Sequence, residues 1–122
     1  MKTFVAAILI FTALIAATAV NAYFTRGAVE TIEAAVKRVG NTATEDNARA
    51  ISNSLRRLEE NRAVLHLSLR HTHIDQLAQL LFEAHAYCLA GDTPSMNATV
   101  SAALFKLDRW KQIESFTLYN VL

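Results

Sequence analysis

Phe4 to Val20 reads FVAAILIFTALIAATAV, inside a run of 23 residues, Thr3 to Thr25, that carries no charged side chain. About 20 apolar residues rising 1.5 Å each cover the roughly 30 Å hydrocarbon core of a bilayer, and a helix satisfies every backbone amide within it. The chain is therefore expected to divide into a transmembrane segment over residues 1–25 and a helical domain over residues 26–122. Membrane lipid is the expected partner of residues 3–25. Val20-Asn21-Ala22 offers the small side chains at which a signal peptidase could cut, after Ala22. Against cleavage, the run exceeds the roughly 7–15 residues of a signal-peptide core, and Tyr23-Phe24 before Arg26 has the composition of an interfacial belt. An uncleaved signal-anchor is expected. Lys2 favours a cytoplasmic N-terminus, opposed only by Arg26, so a single pass through the cytoplasmic membrane with an extracytoplasmic C-terminal domain is the expected topology.

Fewer than 100 residues remain for a water-exposed fold, which limits it to one small domain. Twelve basic and eleven acidic residues give a net charge of +1, and those beyond Arg26 are interspersed. No basic stripe exists to neutralise phosphates, so nucleic acid is not an expected partner. The lone Cys88 excludes an internal disulfide and a four-thiolate zinc site, and leaves apolar packing to hold the fold. Three glycines and one proline, with 52% hydrophobic residues, favour long helices over disorder or a turn-rich sheet.

Hydrophobic spacing supplies the elements. Val29, Ile32, Val36 and Val39 recur every three or four residues, with Glu30, Glu33, Lys37 and Arg38 between them, so the membrane helix is expected to continue as an amphipathic stem until Gly40-Asn41. Thr42 and Glu45 have capping-box spacing. Ala48, Ile51, Leu55, Leu58, Leu65 and Leu69 then predict one helix, with Arg62 filling the gap in the apolar series. A break is expected at His71 to His73, with Thr72 and Asp75 as a second cap. From Ile74 the apolar positions run to Gly91, a helix stop, and Thr93-Pro94 reads as an N-cap and first helical residue. Met96, Val100, Ala103, Leu104, Leu107 and Trp110 predict the buried face of the last helix. Phe116, Leu118, Val121 and Leu122 are expected to pack back onto the rest. Short connections imply antiparallel neighbours, hence an all-α fold in which the membrane helix and its stem lead into an antiparallel bundle of three further helices. The segment from Tyr87 to Phe105 has the form of one hairpin of a helical repeat, but no second copy follows at a fixed period.

No pattern specifies catalysis. His66, His71, His73 and His85, with Asp75, Glu83 and Cys88, are the residues that could bear on a metal. Yet His71 and His73 diverge on a helix, and the His85–Cys88 pair lies about 20 Å further along it. The neighbours Glu59-Glu60 and Glu45-Asp46 point in different directions and form no acid–base pair, no serine sits in a nucleophile elbow, and no glycine-rich phosphate loop is present. Neither enzymatic activity nor a cofactor is expected.

His71-Thr72-His73-Ile74-Asp75 before a helix, Ala90-Gly91-Asp92 at a turn and the ending Leu118-Tyr119-Asn120-Val121-Leu122 resemble the small bacterial membrane proteins grouped as domain of unknown function 4363. The resemblance implies an N-terminal membrane helix and a helical remainder, and supplies no mechanism. Tyr119 stands where an acidic residue is commoner in that family. The resemblance singles out His71, Ile74, Asp75, Asn120 and Val121. Asp75 and His71 are expected to bond the first turn of their helix and Asn120 the last carbonyls; alternatively His71, Asp75 and Asn120 form a shared polar patch.

Two functional expectations follow. The first is a membrane-tethered interaction module acting outside the cytoplasmic membrane, whose stripe Val29, Ile32, Val36 and Val39 pairs with a partner protein or a second copy. The second is a small-molecule or metal sensor using the polar break from His71 to Asp75.

Overall fold

The computed structural model describes residues 1–67 and 69–121, with side chains as far as Gln112. Among the described residues, four long helices and one short turn of helix form: α1 Lys2–Lys37, α2 Glu45–Glu60, α3 Arg62–Leu65, α4 His71–Leu89 and α5 Thr93–Val121. No strand occurs among the described residues. The all-α expectation holds, and so does the antiparallel bundle: α1 packs on α2 and α5, and α4 packs on the same two helices, which sets α1 and α4 at opposite corners.

One apolar cluster joins the four corners. Val29, Ile32, Ile51, Leu58, Leu65, Ile74, Leu77, Leu81, Met96 and Leu107 are fully buried in it, and Trp110 nearly so. Each buried aliphatic side chain contributes roughly 1.5–3 kcal/mol. The periodic positions of α4 and α5 read from the sequence are those that the core uses.

Several boundaries differ from expectation, each for a local reason. α1 ends at Lys37, before Gly40, and Gly40 has no left-handed backbone. A Cβ at Gly40 would lie 2.8 Å from Nδ2 of Asn47. Glycine is therefore required there for close approach, since the Gly40 N–H donates to Asn47 Oδ1 at 2.8 Å while Asn47 Nδ2 donates to the Thr42 carbonyl at 2.6 Å. With Asn47 holding that loop, the cap of α2 falls on Thr44, whose hydroxyl accepts the Asn47 N–H at 3.2 Å, and Thr42 caps nothing.

The single helix expected from Ala48 to Leu69 is interrupted at Asn61, with φ −102° and ψ 4°, and ends with α3. Thr72 lies inside α4; the N-cap is Arg70, which makes no side-chain cap bond. At the other end of α4, Gly91 takes φ +76°, Gly91 N–H donates to the Cys88 carbonyl and Asp92 N–H to the Tyr87 carbonyl at 2.9 Å. This is a Schellman stop. The cap of α5 is Asp92, whose Oδ1 accepts the Ser95 N–H at 3.2 Å, so Thr93 moves one place into the helix. Thr93 Oγ1 is thereby free to accept the Ala43 N–H at 3.1 Å, and with Asn97 Nδ2 donating to the Asn41 carbonyl at 2.9 Å it ties the α1–α2 loop to the α4–α5 turn. The Cys88 thiol donates to the Thr44 carbonyl at the same end.

α1 contains the candidate membrane span. The helix is long and apolar enough to cross a bilayer, and its most apolar stretch is not buried by the rest of the chain. Phe4, Leu9, Ile10, Phe11 and Leu14 are all more than 60% exposed, whereas Thr25, Val29, Ile32 and Val36 are fully buried.

Candidate functional site

Arg62 organises the principal polar cluster. The backbone turn at Asn61 swings Arg62 away from the line of α2, and its half-buried guanidinium then faces two carboxylates. Nε and Nη2 donate to the two oxygens of Glu59 at 2.9 and 2.8 Å, and Nη1 donates to Oδ1 of Asp75 at 2.8 Å. This fork joins the end of α2 to the first turns of α4. The second oxygen of Asp75 accepts from His71 Nε2 at 2.9 Å, one helical turn earlier. His71 in turn stacks on His66, with ring centroids 5.1 Å apart, an interplanar angle of 9° and Nδ1 of His71 3.4 Å from Nε2 of His66.

The electrostatics follow this connectivity. Hydrogen bonding from Arg62 holds both Glu59 and Asp75 below their ordinary carboxylate values, and His71 reinforces the effect at Asp75. The same two partners raise Arg62. His71 and Asp75 remain 69% and 50% exposed, so water screens their interaction. The network links His66 on one side of the α3–α4 connection to His71 and Asp75 on the other. It leaves Asp75 no oxygen that is not already engaged.

Of the expected polar patch, the structure brings His71 and Asp75 together, while the side chain of Asn120 lies outside the described residues. Asp75 bonds side chains rather than the free amides of its helix. Because α4 begins at His71, Asp75 is its fifth residue and beyond the first turn. Arg62, Glu59 and His66 complete the cluster. Their sequence signal was an arginine in an apolar register three residues after a glutamate and thirteen before an aspartate.

The stripe Val29, Ile32, Val36 and Val39 is also placed. Its first three members are fully buried and Val39 is half-buried, all within the core of this chain. The expectation that this stripe receives another protein's helix is corrected: α2 and α5 occupy it. Glu33, one of the charged residues between the stripe positions, is likewise buried, at 9% exposure. It accepts from Lys111 of α5 at 2.9 Å and pairs with Lys37 at 3.3 Å. The hydrogen bond from Lys111 is the main cause that keeps its carboxyl below the ordinary value, against the opposing effect of burial.

Concave surfaces also lie away from the histidines. An open cleft of about 520 Å³ is walled by Tyr23, Phe24, Arg26, Thr31, Asn61 and Val64, between α1 and α3. A shallower groove of about 320 Å³ lies along Gln76, Gln79, Leu80, Glu83 and Lys106, where Lys106 donates to Gln76 at 2.8 Å. Among the described residues, no three His, Cys, Asp or Glu side chains are arranged to hold a metal ion. No family model matches the chain, and no curated protein or solved structure matches it at a significant level.

Proposed function

We propose that this chain is a membrane-tethered helical module that works by binding another protein or a second copy of itself, on the outer side of the cytoplasmic membrane. The observation that carries the reading is the continuity of α1. One helix, unbroken from Lys2 to Lys37, is lipid-like in its first half and supplies a fully buried stripe to the bundle in its second. Anchor and domain then share one helix. The resemblance to domain of unknown function 4363 carries the same architecture.

Since the Val29 to Val39 stripe is used internally, a protein partner must meet the outer faces. Among the described residues, Phe82, Leu89 and Phe105, each at least 66% exposed, are the most exposed large apolar side chains on α4 and α5. Isolated exposed apolar residues are ordinary on a protein surface, so their value here is as positions to test. Amine-reactive crosslinking of the full chain in its membrane is expected to yield a discrete oligomer or one dominant adduct, weakened by Phe82→Ser or Phe105→Ser. Monomer alone at all crosslinker concentrations contradicts the reading.

A further inference from the structure

We infer that the connection between α3 and α4, with Leu67 and Arg70 at its surface, is a second membrane contact that docks the base of the bundle onto the phosphate headgroups of the bilayer. The inference rests on the reading of α1 as a membrane span.

Position along α1 converts to depth, because the helix is continuous and rises 1.5 Å per residue. When about 20 residues from Thr3 fill the roughly 30 Å hydrocarbon layer, Asn21 and Ala22 reach its edge, and the headgroup layer occupies roughly the next 5 to 8 Å. Tyr23 and Phe24, both exposed and in edge-to-face contact at 5.8 Å, fall in that layer. The α3–α4 connection is held at the same depth. Asn21 Nδ2 donates to the Leu67 carbonyl at 3.4 Å, and Val64 faces Tyr23, Phe24 and Gly27 across the cleft. A side chain on α1 leans toward the helix N-terminus, so this hydrogen bond draws Leu67 toward the bilayer.

The chemistry of the connection suits that position. Leu67 is 67% exposed while its neighbour Leu69 turns into the core at 7%. His66, Arg70, His71, Thr72 and His73 are all exposed. No carboxylate occurs between Glu60 and Asp75. Asp75 is matched by Arg62, and Arg70 makes no ion pair among the described residues. An exposed leucine three residues from a guanidinium that makes no ion pair among the described residues, near a carboxylate, Asp75, already engaged by Arg62 and His71, is complementary to the acyl–phosphate boundary of anionic phospholipid.

The test uses the full chain, carrying Cys88→Ala and one fluorophore-labelled cysteine at Tyr23, Leu67 or Asp46, in phosphatidylcholine vesicles with or without phosphatidylglycerol. Quenching by spin-labelled lipid is compared with quenching by a water-soluble agent. The expected result is lipid quenching at positions 23 and 67 and aqueous quenching at 46. Phosphatidylglycerol should strengthen lipid quenching at 67, and Arg70→Gln should lower the ratio of lipid-exposed to water-exposed probe there by roughly fivefold. Lipid quenching at 23 with aqueous quenching at 67 overturns the second contact and leaves the span standing. Aqueous quenching at 23 overturns the span and the contact built on it.

Discussion

The two halves of α1 share one backbone and obey opposite rules. From Phe4 to Leu14 the large apolar side chains point in all directions and stay exposed; from Thr25 to Val36 only one stripe is apolar, and it is buried by α2 and α5. Apolar residues distributed all round a helix find no partner in a small bundle and call for lipid, whereas a stripe calls for another helix. The change occurs within one uninterrupted helix. The solvent, rather than the secondary structure, divides this helix in two.

Substitutions that separate the halves test this division most strongly. Ile32→Ala opens a cavity where the helix meets its bundle, and should cost about 2–5 kcal/mol of bundle stability with membrane attachment unchanged, as followed by thermal melting in detergent. Leu14→Arg should do the reverse. An arginine near the centre of the span costs about 2.5–3.5 kcal/mol of insertion free energy, read as a loss from the membrane fraction, with bundle melting preserved. If either variant moves both properties equally, the halves are not independent.

A sharper comparison concerns Glu33, the buried charge on the stripe side. Lys111→Met should destabilise the bundle by about 1–3 kcal/mol, because it removes the principal hydrogen bond to a carboxylate that is nearly buried. Glu33 titrates below its ordinary value of 4.5 when folded. Its stabilising contribution is therefore complete above that pH and is lost as pH falls through the lower folded-state value. The melting temperature should fall on acidification below about pH 4.5, and Glu33→Gln should make that acid limb shallower. The smallest effect is expected at the far end of the bundle, where Asp92→Ala should cost about 1 kcal/mol through loss of the α5 cap.

Much of this architecture is written locally and could be read so. The uncharged run, the stripes of α4 and α5 and the stop at Gly91 depend on periodicity and on one residue's freedom at positive φ. Readings failed where tertiary contacts decide. Thr42, at capping-box spacing from Glu45, is the cap expected from sequence; Asn47 moves the cap to Thr44 by bonding Gly40 and the Thr42 carbonyl. Thr93 was a good cap candidate until Asp92 took that role and released it to hold Ala43. Asn61 interrupts a helix whose apolar spacing continues past it, because the turn lets Arg62 reach Glu59 and Asp75 together. The stem stripe was legible as a pairing surface, but spacing alone does not say whether the partner belongs to the same chain. Of the polar cluster, His71 and Asp75 are neighbours by helical spacing, while Arg62 and His66 join them only through the fold.

The account depends on α1 remaining whole, with its first half in lipid and its second in the bundle. The intact mass of the protein recovered from membranes after alkaline carbonate washing tests this directly. A mass that includes residues 1–22, found in the membrane pellet, is the expected result. A soluble species whose mass begins at Tyr23 contradicts it.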